Sequence, residues 1–179
     1  MKQELAIQRL NELDKKGRYV FLHRDLEKIF HEDSPRSLSD SLARLVKHGI
    51  LERVARGVYL YALAANKNAS ATLDLIAIAL RRGEYNYISL ESALSFYGVI
   101  SQIPIDRLTV MTTGVKGEYK TSYGVIEFTH TKRGIGDILD SIVRAGRPLR
   151  IASKHAALRD LKRVGRNTHL VDMEAMYAD

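Results

Sequence analysis

The chain has no cysteine, which excludes disulfides and thiolate metal ligands. No apolar run reaches the roughly 18 residues that a membrane span requires. Met1 to Leu13 mixes charged and polar residues throughout and lacks the apolar stretch of a secretory signal. These absences predict a cytoplasmic protein with no membrane association. There is no internal repeat and no low-complexity segment. The P-loop, the Gly-x-Ser-x-Gly elbow and the His-Glu-x-x-His pair are all missing. Gly134-Ile135-Gly136 lacks the third glycine and the strand-to-helix context of a dinucleotide loop. His23, His31, His48, His130, His155 and His169 fall at no helical metal spacing. The reading is therefore of a protein with no catalytic residues, no metal and no cofactor.

What is present is a 179-residue chain, 45% apolar, long enough for two small domains with their own cores. Its formal charge is +7 and its pI about 9.6. A basic balance favours polyanionic partners such as nucleic acid or an acidic protein. The charge is uneven. Arg144, Arg147, Arg150, Lys154, Arg159, Lys162, Arg163 and Arg166 crowd into one stretch, with Asp160 as its only acid. The N-terminal third is only mildly basic.

That third reads as an ordered set of elements. Ala6, Ile7, Leu10 and Leu13 share a helical face, and Gly17 ends the helix. Tyr19 to Phe21 suits a short strand. Leu22, Leu26, Ile29 and Phe30 repeat at helical spacing. Ser34-Pro35 then supplies an N-cap and first helical residue, Leu38, Leu42, Leu45 and Val46 form a stripe, and Gly49 stops it. Ile50 to Val54 and Val58 to Leu63 read as two strands around Ala55-Arg56-Gly57, with Leu51 and Arg53 on one face and Glu52 and Val54 on the other. Helix, short helix, second helix and hairpin, in that order, predict a winged helix-turn-helix over residues 1–65 and hence contact with double-stranded DNA.

Within that expectation the helix after Ser34 is the recognition helix. Arg36 is placed to reach a guanine edge, Ser37 and Ser39 to touch bases or phosphates and Lys47 to meet a phosphate, with Ser41 and Arg44 also off the core face. Arg53 and Arg56 belong to the wing, where a phosphate or the minor groove is met. Asp40, which would repel phosphate, is expected to point aside or toward a cytosine amino group.

Ala64 to Ser70 reads as a linker. Residues 70–179 form a mixed α/β domain, which makes the whole chain α+β. Its expected elements are an apolar helix to Leu80, a strand at Tyr85 to Ile88 and a helix capped by Ser89, with Glu91 on the helix dipole. Strands follow at Leu108 to Met111, Glu118 to Tyr123 and Val125 to Thr129. A helix over Ile135 to Val143 is expected to turn Ile138, Leu139 and Ile142 inward. Leu149 to Ala152 is a strand, and Ser153 caps a basic helix to about Val164. Its Lys154, Arg159, Lys162 and Arg163 make a second candidate basic site, read as a DNA contact or a dock for an acidic partner.

The segment Tyr87-Ile88-Ser89-Leu90-Glu91-Ser92-Ala93-Leu94-Ser95-Phe96-Tyr97-Gly98, behind a wing carrying Gly57-Val58-Tyr59, resembles AbiEi-type antitoxins of type IV toxin–antitoxin (abortive infection) systems. A later segment, Ile151 to Asp160, looks similar to a looser motif of the same family. The resemblance implies a winged helix that binds the protein's own promoter and represses it (autoregulation). It also implies a C-terminal domain that counteracts a nucleotidyltransferase toxin of AbiEii type, without need of a stable complex. The alternative is a stand-alone winged-helix transcriptional regulator whose C-terminal domain senses a ligand or partner.

Overall fold

The computed structural model describes residues 1–102 and 106–178 and divides the chain into two compact units, Met1–Leu80 and Arg81 onward. The fold class is the expected one, α+β with an N-terminal winged helix-turn-helix and a mixed α/β unit after it.

The first unit runs α1 (Gln3–Asp14), β1 (Val20–Leu22), α2 (His23–Ile29), α3 (Pro35–Lys47), β2 (Leu51–Ala55), β3 (Val58–Tyr61) and α4 (Ala71–Leu80). The start of α2 is fixed by Asp25, whose carboxylate accepts the Leu22 N–H at 2.8 Å. At α3 the Ser34 hydroxyl accepts the Ser37 N–H at 3.3 Å and Pro35 occupies the first helical position. Leu38, Leu42 and Leu45 are buried at three- and four-residue spacing, which turns the opposite face of α3 to solvent. The three strands pair antiparallel in the order β1-β3-β2.

The wing departs from simple alternation. A bulge between Arg53 and Ala55 shifts the register, so Arg53 opposes Tyr59 and Ala55 opposes Val58. As a result Leu51 and Val54 are the buried residues of β2, not Leu51 with Arg53. Arg56-Gly57 makes a two-residue turn at the tip, and Gly57 takes φ +74°, a conformation that costs a side-chain-bearing residue about 1–2 kcal/mol.

Residues 64–70 do not stand apart from this unit. The Ala65 N–H donates to Asp14 at 3.1 Å, and the Tyr19 hydroxyl bonds Thr72 at 2.9 Å. The helix α4 packs on β1 and β3. Residues 70–80, expected with the second domain, therefore close the core of the first.

The second unit holds β4 (Asn86–Ile88), α5 (Leu90–Phe96), β5 (Arg107–Thr112), β6 (Gly117–Thr121), β7 (Gly124–His130), α6 (Ile135–Ser141), β8 (Ile142–Val143), β9 (Arg150–Ala152), α7 (Lys154–Val164), a 3₁₀ turn at Thr168–Leu170 and α8 (Met173–Tyr177). Its sheet order is β6-β7-β5-β4-β9-β8. The pairs β5/β7 and β4/β9 are parallel; β4/β5, β6/β7 and β8/β9 are antiparallel. One expectation fails here. The helix α6 stops at Ser141, and Ile142–Val143 becomes an edge strand paired with β9. Only Ile138 of the three residues expected inward is buried, and Leu139 is 45% exposed. Pairing with β9 satisfies the backbone of 142–143 in place of a further helical turn.

A fragment of residues 1–80 is expected to unfold as one cooperative unit. Cutting at residue 65 removes α4 and the Tyr19–Thr72 bond, and each lost kcal/mol lowers the midpoint by roughly 4–8 °C in a domain of this size. Thermal circular dichroism of the two fragments checks this; equal midpoints would show that α4 adds nothing.

Candidate nucleic-acid interface

The outward face of α3 carries Arg36, Ser39, Asp40, Arg44 and Lys47, all exposed, with Ser37 half-buried. At its N-terminal end Ser34, Arg36, Ser37, Asp40 and Arg44 line a shallow hollow of about 300 Å³. The helix dipole adds partial positive charge there, so the hollow suits an anion despite Asp40. Arg36, Lys47, Arg53 and Arg56 have no ion-pair partner among the described residues, and Arg53 and Arg56 are exposed on β2 and the wing turn. Their charges are thus available to a ligand.

Two of the sequence-derived residues are partly engaged. The Ser39 hydroxyl donates to the Pro35 carbonyl at 3.1 Å, one turn back along α3. Arg44 donates to the Ser41 hydroxyl at 3.1 Å, and Ser41 donates in turn to Asp33 at 3.1 Å. Ser41 is buried, so this relay holds the Arg44 guanidinium at the edge of the hollow. Ser41, expected off the core face, is buried instead because its hydroxyl is satisfied by Arg44 and Asp33.

The second basic site is rearranged. On α7, His155, Arg159, Lys162 and Arg163 are exposed and fall in one outward arc of the helix. Lys154 is not among them. Its ammonium donates to the carbonyls of Ala175 at 3.3 Å and Ala178 at 2.8 Å, and so caps the end of α8. Arg166, one of the eight crowded cations, is neutralised. It grips Glu91 with two hydrogen bonds, at 2.8 and 3.1 Å, and approaches Glu127 at 2.5 Å. Arg107 bonds the other oxygen of Glu127 at 2.8 Å. These groups, with Ser92, Thr109 and Asn167, border a cavity of about 320 Å³. Glu91 therefore serves a part-buried ion pair and not merely a helix dipole. Burial pushes its carboxyl up, but the hydrogen bonds from Arg166 and Asn167 outweigh that and hold it below the usual range.

Ser89 makes no side-chain cap on α5. Its hydroxyl donates instead to Asp160 at 2.9 Å, and the Tyr87 hydroxyl lies 3.4 Å from the same carboxylate oxygen. Burial, reinforced by the charge of Asp160, pushes the Tyr87 phenol up to about 12. The other Asp160 oxygen lies 3.6 Å from both Arg133 and Arg159. The two segments that carried the family resemblance thus meet in one buried polar cluster. The clue available beforehand was Asp160, the single acid in a basic stretch. No group of three or more His, Cys, Asp or Glu suited to a metal occurs among the described residues, and no helix among them is long and apolar enough to cross a membrane.

The first unit is thus a winged helix-turn-helix with unpaired cations on α3 and the wing. Residues 8–62, from within α1 to just past β3, match the family described as "Transcriptional regulator, AbiEi antitoxin", so the resemblance to AbiEi-type antitoxins holds over this span. The segments 87–98 and 151–160 lie outside it. The fold is similar to the crystal structure of the RV2827C protein from Mycobacterium tuberculosis, at 15% identity and a TM-score of 0.62. That likeness covers 88% of this chain and 60% of the other, so this chain spans about three-fifths of that protein's length. No curated protein matches the chain.

The depressed Glu91 carboxyl sets a pH dependence. A group whose pKa falls on folding stabilises above its unfolded value, and that contribution is lost as pH falls through the folded value. Glu91→Gln should therefore lower stability at pH 7 and cost progressively less toward pH 3. Urea unfolding of both proteins across that range checks it; a constant difference would mean that charge is not what matters at Glu91.

Proposed function

We propose that this protein is a DNA-binding antitoxin: its winged helix binds its own promoter and represses the operon, and its second unit counteracts a nucleotidyltransferase toxin of AbiEii type. The observation that carries the DNA half is the set of unpaired cations, Arg36 and Lys47 on α3 and Arg53 and Arg56 on the wing, on a scaffold that turns this face to solvent. Arg36 and Arg44 flank the hollow at the start of α3, where the chain can meet a base edge or a phosphate. Ser37 and Ser39 lie beside them. The outer arc of α7, with Arg159, Lys162 and Arg163, adds a second contact to the duplex; Lys154 takes no part in it because it caps α8. The family match supports regulator and antitoxin together. No catalytic step, metal or cofactor enters this reading, and the toxin is countered without a stable complex. The setting it fits is a cytoplasmic abortive-infection locus.

The cavity beside Glu91, Arg107, Glu127 and Arg166 favours a second reading, a stand-alone regulator whose second unit senses a ligand. Growth rescue separates the two. Co-expression with a nucleotidyltransferase toxin of AbiEii type should restore growth under the antitoxin reading and leave it unchanged under the regulator reading.

DNA binding is tested by mobility shift on the chain's own upstream sequence. Binding should weaken steeply with salt, as Lys and Arg release phosphate counterions. Arg36→Ala should cost roughly 1–3 kcal/mol and relax preference at one position, as loss of a base-reading side chain does. Arg56→Ala should weaken specific and random DNA alike, because a wing-tip cation meets backbone or minor groove. Equal effects on both DNAs for Arg36→Ala, or a loss confined to the specific sequence for Arg56→Ala, would remove the assigned roles.

A further inference from the structure

The helix α6 and the edge strand β8 leave apolar side chains in solvent. Ile135 and Leu139, one turn apart on α6, are 51% and 45% exposed, and Val143 on β8 is 45% exposed. Charged residues of both signs flank them, Asp137 and Asp140 before β8 and Arg144 after it, all exposed. Neither Asp140 nor Arg144 has an ion-pair partner among the described residues. Exposed apolar groups rimmed by charge mark a contact with another protein surface.

The backbone gives that contact a geometry. Among the described residues β8 ends the sheet, with β9 on its inner side. The Ser153 N–H donates to the Ser141 carbonyl at 2.8 Å, and Ile142 opposes Ala152. Antiparallel ladders alternate, so Ser141 and Val143 turn their backbone groups toward β9, whereas Ile142 turns its N–H and C=O outward. The Ile142 N–H makes no capping bond back into α6 either. One donor and one acceptor on the same outward residue suit an antiparallel strand added at this edge.

We propose that a second copy of this chain docks here, β8 against β8, about a two-fold axis at Ile142. The order of charges along the chain selects this occupant. Antiparallel pairing about Ile142 sets the residue two before it opposite the residue two after it in the other copy. Asp140 of each copy thus comes beside Arg144 of the other, whereas parallel pairing would set acid beside acid and cation beside cation. Two-fold symmetry makes every contact twice and closes the assembly at two chains. Leu139 and Val143 flank the axis and leave water with it, and Ile135 lies one helical turn further out. The footprint is small, so the dimer is a weak one that forms at high concentration.

The test is sedimentation velocity of the full chain, without DNA, from about 5 to about 500 µM, a range that covers the weak association of a small interface. The parent should pass from monomer to dimer across it. Leu139→Gln with Val143→Thr, both at exposed positions, should weaken dimerisation at least about tenfold. Asp140→Arg alone and Arg144→Glu alone should each weaken it at least about fivefold, since each reversal sets like charges together twice. The Asp140→Arg/Arg144→Glu double variant exchanges the signs and should dimerise within about threefold of the parent. A role in the monomer alone would not give that rescue. Neither reversal opposes the fold, because a cation suits the C-terminal end of α6 and an acid at 144 faces Arg150, one step past the Val143–Ile151 pair; circular dichroism checks each variant. Lys120→Glu, on the edge strand β6 at the other end of the sheet, is the control and should dimerise as the parent does. The proposal is overturned if the parent stays monomeric throughout, if the Leu139/Val143 variant or the single reversals dimerise like the parent, or if the double reversal fails to restore what the single ones lost. It is also overturned if the β6 control loses dimerisation equally, or if species larger than a dimer grow with concentration, as pairing of β8 with a different edge would produce. DNA binding through α3 does not enter the measurement, so the two proposals fail separately.

Discussion

The second unit is organised around the buried carboxylate of Asp160. It is wholly inaccessible, and an isolated charge in that position would be prohibitive. The Ser89 hydroxyl and the flanking Arg133 and Arg159 make its burial tolerable. That requirement fixes which side of α7 faces the sheet. With Ala156, Ala157, Leu158, Asp160 and Leu161 inward, His155, Arg159, Lys162 and Arg163 have no place but outside. The basic face is thus partly a consequence of the acid buried behind it. The same carboxylate joins α7 to the β4–α5 corner, and so draws two distant sequence segments into one cluster.

In the first unit the corresponding constraint is the leucine stripe of α3. Burying Leu38, Leu42 and Leu45 commits the opposite face of the helix to water, and the residues there are charged or hydroxylated. The cap at Ser34 fixes where the helix begins, and hence where Arg36 and the helix dipole coincide. The wing adds its cations by a different device. A bulge lets β2 bury both Leu51 and Val54, while Arg53 and Arg56 remain exposed.

Charge counted along a chain and charge presented at a surface are different quantities. Eight cations lie between Arg144 and Arg166. Arg166 is spent on Glu91 and Glu127, and Lys154 on the last carbonyls of α8. Those two hold the C-terminal segment, whereas Arg144, Arg150 and the arc of α7 are exposed.

The sequence by itself determined the winged helix. Apolar spacing, the Ser-Pro helix start and the glycine stops are local signals, and the elements up to β3 follow them except for the bulge in β2. It also determined the class of the second unit, since its strands and helices follow the same periodicities. The tertiary structure alone decided the rest. It assigned α4 to the first core, because the apolar surface of that helix is covered by β1 and β3. It turned Ile142–Val143 from helix to edge strand, because β9 offered a partner for its backbone. It also decided which charges are free, because a salt bridge such as Arg166–Glu91 joins residues far apart in the chain and leaves no mark in local pattern.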